Sequence, residues 1–249
     1  MSAVSAAEDG LSKISFFSKP VRFSDVVQRR GGCCRLSMDR IAMLIRIHPV
    51  DPQLRLIRQA VEVLRAGGII IYPTDTVYGI GCDILQSAAI ERICRLKGID
   101  PRKANLSFIC NDLSHLSDYT KPISTSVFRL LKEHLPGPYT FILPASKLVP
   151  KILQSKKSTI GLRIPDHPIA QALVRELGRP ILSTSIPGEQ VEDTTDPDVM
   201  VANFANQVDA VIDGGIGGLI PSTVIDCSLD EPELIREGAG PWSSRSFSV

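Results

Sequence analysis

The chain has 249 residues, 43% of them apolar, and a formal net charge of +1. That length fits one large domain or two small ones. The balanced charge excludes a global electrostatic argument for nucleic acid, an anionic membrane or an acidic partner, so any anion site has to come from local clusters.

Residues 1–42 hold seven Lys/Arg against four Asp/Glu, are rich in serine, and show neither sustained periodicity nor the apolar stretch of a signal peptide. They are expected to be disordered and to stand outside the fold. Two readings of them stay open: a transit-like leader that would direct the chain to an organelle, or a start placed too early, with Met38 or Met43 as the true start and the cytoplasm as the location. The globular domain is expected over 43–241, with 242–249 as a tail. No apolar run approaches the roughly 20 residues that span a bilayer, so no membrane partner is expected.

From Met43 onward the pattern becomes regular. Met43–Ile47 reads as a strand. Asp51-Pro52 offers an N-cap and a first-turn proline for a helix in which Leu54, Ile57, Val61 and Leu64 recur at helical spacing, stopped by Gly67. A strand over Ile69–Tyr72 runs into Pro73, after which Gly79 and Gly81 are expected to free the backbone. Ser87 opens a second helix with Ile90, Ile93 and Cys94 inward, ending at Lys97-Gly98. Leu106–Cys110 is a strand, and Ser124 caps a helix carrying Val127, Leu130 and Leu131 that Pro136-Gly137-Pro138 breaks. Strands follow over Tyr139–Leu143 and Thr159–Ile164, then a helix over Pro168–Leu177 closed by Gly178. Ile181–Ser185 is a strand and Asp196-Pro197 starts another helix. The closing strands are Val208–Ile212, Thr223–Cys227 and Glu233–Arg236, the last two as an antiparallel hairpin. This alternation predicts an α/β layered domain on a mixed sheet.

Cys33, Cys34, Cys82, Cys94, Cys110 and Cys227 form no Cys-x-x-Cys pair, and the histidines are scattered, so no zinc site is expected. Cys82, Cys94, Cys110 and Cys227 read as small buried hydrophobes in a reducing compartment. Gly214-Gly215-Ile216-Gly217-Gly218 follows a strand but leads into Leu219-Ile220-Pro221 rather than a helix, which fails the context of a phosphate loop.

Polar residues gather where apolar strands end. Thr74, Asp75, Thr76 and Tyr78 follow Tyr72; a plain Pro-Thr-Asp turn is the other reading. Ser183-Thr184-Ser185 closes the Ile181 strand, either as a site or as satisfied core hydroxyls. Arg163 lies in an apolar strand, where an arginine is rarely buried unless paired. Pro221-Ser222-Thr223 and Arg236-Glu237-Gly238 complete the set, and Lys97 and Lys103 flank a proline-containing loop, Lys97 also reading as a partner of the helix dipole. Because ligands of α/β sheets bind outside the carboxyl ends of strands, these clusters are expected to meet in one cleft. Converging cations would suit a nucleotide triphosphate, and the hydroxyls a small polar substrate beside it.

The segments Gly67–Cys82, Pro136–Thr140, Gly161–Pro168, Ser183–Ser185, Pro221–Val224 and Arg236–Gly238, in this order over about residues 44–240, resemble the YrdC-like family. Its best-known members are the threonylcarbamoyl-AMP synthases. The resemblance implies a twisted open mixed sheet with helices packed on it and a concave basic face. It also implies a reaction in which threonine, bicarbonate and ATP, the last as its Mg2+ complex, give threonylcarbamoyl-AMP and pyrophosphate. That product serves the N6-threonylcarbamoyl modification of tRNA, so tRNA, double-stranded RNA and tRNA-modification proteins are the implied partners. By position, Thr76, Arg163, Ser183 and Ser222 match threonine-site residues, and Lys97, Lys103, Thr159, Ser185 and Arg236 match nucleotide-site residues. No covalent intermediate and no protein-bound metal is implied. Three positions depart from the family pattern: Ile99 stands for an arginine, Phe108 aligns near a histidine, and Pro187 stands for an asparagine. Arg102 is a candidate to replace the missing guanidinium. These losses, with the opening His48-Pro-Val-Asp-Pro52, resemble the YciO branch of the family, for which a nucleotide- or RNA-binding role with weak or no synthesis is the alternative.

Overall fold

The computed structural model describes residues 42–100, 106–153, 158–188, 190–229 and 231–242. Residues 1–41 of the expected 1–42 leader, both Cys33 and Cys34, the loop carrying Arg102 and Lys103, and residues 243–249 of the tail lie outside them, while Ala42 is buried and donates its amide to the Ala205 carbonyl. In chain order the elements are β1 (Met43–Arg46), α1 (Leu54–Arg65), β2 (Ile69–Tyr72), β3 (Gly79–Asp83), α2 (Ser87–Leu96), β4 (Ser107–Ile109), α3 (Leu113–Asp118), α4 (Thr125–His134) and β5 (Tyr139–Pro144). They continue as β6 (Thr159–Arg163), α5 (Pro168–Leu177), β7 (Ile181–Ser185), α6 (Glu192–Thr195), α7 (Pro197–Phe204), β8 (Ala210–Asp213), β9 (Thr223–Asp226) and β10 (Glu233–Arg236).

The strands form one ten-stranded mixed sheet in the order β1-β8-β2-β3-β7-β4-β6-β5-β9-β10. On one face, α2, α4 and α7 place Ile90, Ile93, Val127, Leu130, Leu131, Met200 and Phe204 against Ile71, Ile80, Phe108, Leu162, Leu182, Phe141 and Ile225. That layer therefore runs from β2 to β9. On the other face, α1 and α5 pack Ile57, Val61, Leu64, Ile169, Leu173 and Val174 on Ile45, Ile70, Tyr72, Ile109, Ile181 and Ile212. This second layer gives out beyond β4. The strands past it show the consequence: in β5, Tyr139, Phe141 and Leu143 are buried while Thr140, Ile142 and Pro144 are half-exposed, and β9 alternates in the same way. Among the described residues no helix covers this half of the sheet face, and most of the candidate site residues lie there.

Several local expectations are corrected. Asp51-Pro52 does not cap α1; the helix begins at Leu54 with Gln53 as its cap, because the Gln53 carbonyl accepts from the amides of Leu56 and Ile57. Leu54 is exposed, and the buried stripe is Ile57, Ala60, Val61 and Leu64. Gly79 and Gly81 do not loosen the backbone: they belong to β3, antiparallel to both β2 and β7. Their lack of a side chain leaves room for the Tyr72 ring, since a Cβ on Gly81 would lie 3.1 Å from it and 2.6 Å from the Leu182 carbonyl oxygen. The short helices α3 and α6 carry no sequence pattern long enough to reveal them. The caps at Ser124 and Asp196, the left-handed stop at Gly178 and the closing hairpin form as expected. Cys82, Cys94, Cys110 and Cys227 are buried free thiols, and burial pushes the Cys227 thiol up to about 12. No helix among the described residues is long and apolar enough to cross a membrane.

Packing around Tyr72 yields a first prediction. Gly81→Ala forces β3 and β7 apart, and it is expected to cost about 1–3 kcal/mol, the usual penalty of overpacking. The measurement is the urea midpoint of unfolding at unchanged slope.

Candidate functional site

The turn after β2 builds one wall of the open face. The Thr74 hydroxyl donates to the Val77 carbonyl at 2.7 Å and accepts the Thr76 amide at 3.2 Å, a side-chain-closed turn that aims Asp75 and Thr76 at β6. There the Arg163 Nη2 donates to Thr76 Oγ1 at 2.8 Å, to Thr74 Oγ1 at 3.3 Å and to the Asp75 carboxylate. The second Asp75 oxygen accepts the Asp166 amide at 3.1 Å, which ties the turn to the residues leading into α5. The Arg163 and Asp75 side chains are only 9% and 10% exposed. The Nε of Arg163 is buried without a hydrogen-bond partner.

The floor follows from strand register. Partners across a ladder present their side chains on one face, so Gly81, Ser183, Ser107 and Gly161 form one row. Arg163 stands two residues beyond Gly161 on β6 and shares its face. The fully buried Tyr72 hydroxyl donates to Ser183 Oγ at 2.7 Å. Burial pushes the Tyr72 phenol well above its ordinary value, which keeps it a neutral donor. On the far side, Thr140 and Ser222 share a hydroxyl hydrogen bond of 2.8 Å, and Arg236 donates through Nη2 and Nε to the Ser222 carbonyl at 2.7 and 3.2 Å. Burial and the nearby Arg163 charge both lower the Arg236 pKa. At the opposite end, Lys97 Nζ donates to the Ser185 carbonyl at 2.9 Å, and burial lowers its pKa.

The clusters meet, but not as a crevice at strand ends. β7 runs antiparallel to β4, and β4 parallel to β6, so the carboxyl ends of β7 and β6 point opposite ways. What unites the residues is a sheet face. Thr76, Arg163 and Ser222 gather toward one end and Ser183 lies between, whereas Lys97, Ser185 and Thr159 mark the other. Thr159 precedes Arg163 by four strand residues, about 13 Å. Arg236, matched to nucleotide positions by resemblance, sits at the Arg163 end on Ser222. Lys103 and Arg102 lie outside the described residues. Sequence reasoning assigned no role to Tyr72, Ser107, Thr140 or the carboxylate of Asp75. Alternation in β4 and β5 is the signal that marks Ser107 and Thr140; only the fold reveals the reach of Tyr72 and Asp75.

Two of the three positions expected to depart from the family pattern, Ile99 and Phe108, have a clear structural setting. Gly98 and Ile99 donate backbone hydrogen bonds to Arg95 and Cys94, and Gly98 has φ 65°, a Schellman ending for α2 in which Ile99 supplies the apolar contact. Phe108 is fully buried on the helix-covered face, edge-on to Tyr119 at 5.5 Å, so a side chain there does not face the cleft. Pro187 follows the buried Ile186 just past β7.

A half-covered sheet face with a paired guanidinium, neutral hydroxyls and cations toward both ends has the chemistry to hold an anion such as a carboxylate or a phosphate. The contact made to Ser183 Oγ comes from a neutral phenol, not from a base, which does not activate it as a nucleophile. Comparison with known proteins agrees with this fold. A family model named for Sua5, YciO and YrdC and described as "Telomere recombination" matches residues 62–238. The chain belongs to this family. It is 49% identical over 197 residues to the uncharacterized protein YciO of Escherichia coli, covering 78% of this chain and 94% of that one. A threonylcarbamoyl-AMP synthase of Bacillus subtilis is 35% identical over 191 residues; the match covers 76% of this chain and 54% of the synthase, so the chain spans about half of that protein. The crystal structure of E. coli YciO superposes with a TM-score of 0.75 at 47% identity, covering 80% of this chain and 97% of that one. P. abyssi Sua5 complexed with L-threonine superposes with a TM-score of 0.70 at 30% identity, covering 79% and 58%.

The Tyr72–Ser183 contact gives a second prediction. Ser183→Ala strands a buried phenol and is expected to cost about 1–3 kcal/mol, whereas Tyr72→Phe costs about 1 kcal/mol and the double variant less than the sum. Denaturant unfolding of the four proteins checks it.

Proposed function

We propose that this protein is a nucleotidyltransferase of the threonylcarbamoyl-AMP synthase type, serving the N6-threonylcarbamoyl modification of tRNA. The observation that carries the reading is the gathering of Thr76, Arg163, Ser183 and Ser222 on one sheet face, with Arg236 beside them and Lys97 toward the other end. In this reading Arg163 holds the threonine carboxylate, and the Thr76, Ser183 and Ser222 hydroxyls hold its polar side chain and nitrogen. The amine takes up bicarbonate with loss of water to form a carbamate. A carbamate oxygen then attacks the α-phosphorus of ATP, delivered with Mg2+, and pyrophosphate leaves. Lys97, Lys103, Thr159, Ser185 and Arg236 position the nucleotide and offset developing charge. Catalysis is positioning and electrostatics, without a covalent enzyme intermediate.

A second reading is favoured by one specific observation: Ile99 is committed to the apolar ending of α2, and Pro187 offers no amide, so the Lys97 end lacks two polar groups of the family pattern. Here the same face binds ATP or structured RNA with weak or no synthesis.

The test is pyrophosphate release with threonine, bicarbonate and ATP together and with each omitted. The first reading expects release only with all three, at a low rate that Ile99→Arg raises by adding a donor near the phosphates. The second expects no release from either protein, and salt-sensitive binding of ATP or RNA. Arg163→Lys keeps the charge but loses the planar fork, and threonine affinity by calorimetry is expected to fall at least about tenfold. Unchanged affinity in a folded variant refutes the role of Arg163.

A further inference from the structure

The Arg163–Asp75 pair is unevenly made. Nη2 carries two hydrogens yet faces three acceptors, on Thr74, Asp75 and Thr76, while Nε is buried with no partner. A guanidinium presents a planar fork that suits a carboxylate side-on, and here half of the fork is idle. The end of the cleft is also rich in cations. Arg236 brings a second guanidinium, and its hydrogen bonds go to the neutral carbonyl and hydroxyl of Ser222. Arg163 is close enough to it that their charges oppose one another. Asp75 is thus the carboxylate that pairs with Arg163, and an incoming carboxylate would compete with it for that guanidinium.

Competition has a cost that selects the ligand. Asp75 is only 10% exposed. A carboxylate displaced from Arg163 there would be a buried charge without its cation, which is strongly unfavourable. A ligand that carries only a carboxylate leaves this cost unmet. A ligand with an ammonium on the adjacent carbon meets it, because its own cation takes the place that Arg163 gave up.

We propose that Asp75 is the ammonium-recognising residue of the cleft: the buried Arg163–Asp75 pair opens to take the head group of a zwitterionic α-amino acid, carboxylate on Arg163 and ammonium on Asp75. The inference rests on the reading above that the face takes a free amino acid, and it assigns the specificity for the zwitterion to the internal carboxylate. Thr74 is a positioning residue in this scheme, since its hydroxyl closes the turn that aims Asp75.

Calorimetry on the full chain tests it with three probes: L-threonine, 3-hydroxybutyrate, which lacks the amine, and L-threoninol, which lacks the carboxylate. The wild-type protein is expected to bind L-threonine at least about tenfold more tightly than either analogue, as when a displaced buried charge is left unpaired. Asp75→Asn is expected to lose about tenfold or more for L-threonine while binding 3-hydroxybutyrate as well as the wild type or better, because no charge is left behind. Equal wild-type affinity for L-threonine and 3-hydroxybutyrate overturns the proposal. So does an Asp75→Asn protein that keeps the wild-type discrimination, or one that loses both ligands in parallel, the signature of a carboxylate that only holds Arg163 in place. If Asp75→Asn does not fold, the wild-type comparison decides, together with Asp75→Glu, which is expected to keep the preference for the amine. A panel of other L-amino acids separates this idea from the threonine reading. Zwitterion discrimination for another amino acid, with no binding of L-threonine or 3-hydroxybutyrate, sinks that reading and leaves Asp75 in its role; no binding by any of them overturns both.

Discussion

Moving a guanidinium and a carboxylate out of water costs several kcal/mol per ion before their attraction is counted. Arg163 and Asp75 meet that cost at the end of β6, and much of the surrounding chain is arranged by it. The turn after β2 has to reach across the open face to bring Asp75 to β6, and Thr74 closes that turn with its own hydroxyl. The Asp166 amide has to point back at the same carboxylate, which fixes how the chain leaves β6 before α5 begins. A wall, a floor strand and the entry to a packed helix are therefore tied to one ion pair. An apolar pair in its place would serve stability as well or better, so its retention points to use rather than to strength.

The second constraint is the unequal covering of the sheet. Ten strands make more surface than two helices can hide. On the face of α1 and α5, apolar side chains persist through Ile181 and Ile109 and then give way to Ser183, Ser107, Gly161 and Thr140. Gly161 keeps this floor low, since a Cβ there would lie 3.3 Å from Ser107 Cβ and 3.4 Å from Thr140 Cγ2. The opposite face stays apolar as far as Ile225, so the same strands that support the core from below present the cleft above. Fold and site are two faces of one alternation.

That alternation explains what could be read in the chain beforehand. β2 and the amphipathic α1, α2, α4 and α5 were legible because apolar residues recurring at a fixed period leave few alternatives. β3 was not: Gly79, Gly81 and the polar Asp83 look like a turn, and they form a strand because the Tyr72 ring needs their empty positions and because β7 pairs with them. The candidate residues were legible as polar groups at the ends of apolar runs. Their arrangement was not, because a parallel-sheet rule places a site at strand ends, and the antiparallel insertion of β3 and β7 turns the ends of β6 and β7 away from each other. Asp75 stood in the most informative segment of the sequence, yet its partner lies 88 residues away, and no local pattern encodes that contact.

The two ends of the cleft are built to different standards. At the Arg163 end, a buried ion pair, two hydroxyls and Arg236 on the Ser222 carbonyl hold one another in place. At the Lys97 end, one ammonium rests on the carbonyl at the end of β7, and desolvation works against its charge. Ile99, two positions on from Lys97, is given to the apolar ending of α2. A carboxylate would meet a site whose geometry is already set. Among the described residues, a triphosphate would meet donors that are fewer and less firmly placed, and its transition state draws on those donors more than its ground state does. Among the described residues this asymmetry suits a carboxylate better than a triphosphate, and the two readings proposed above differ in how far it has been carried.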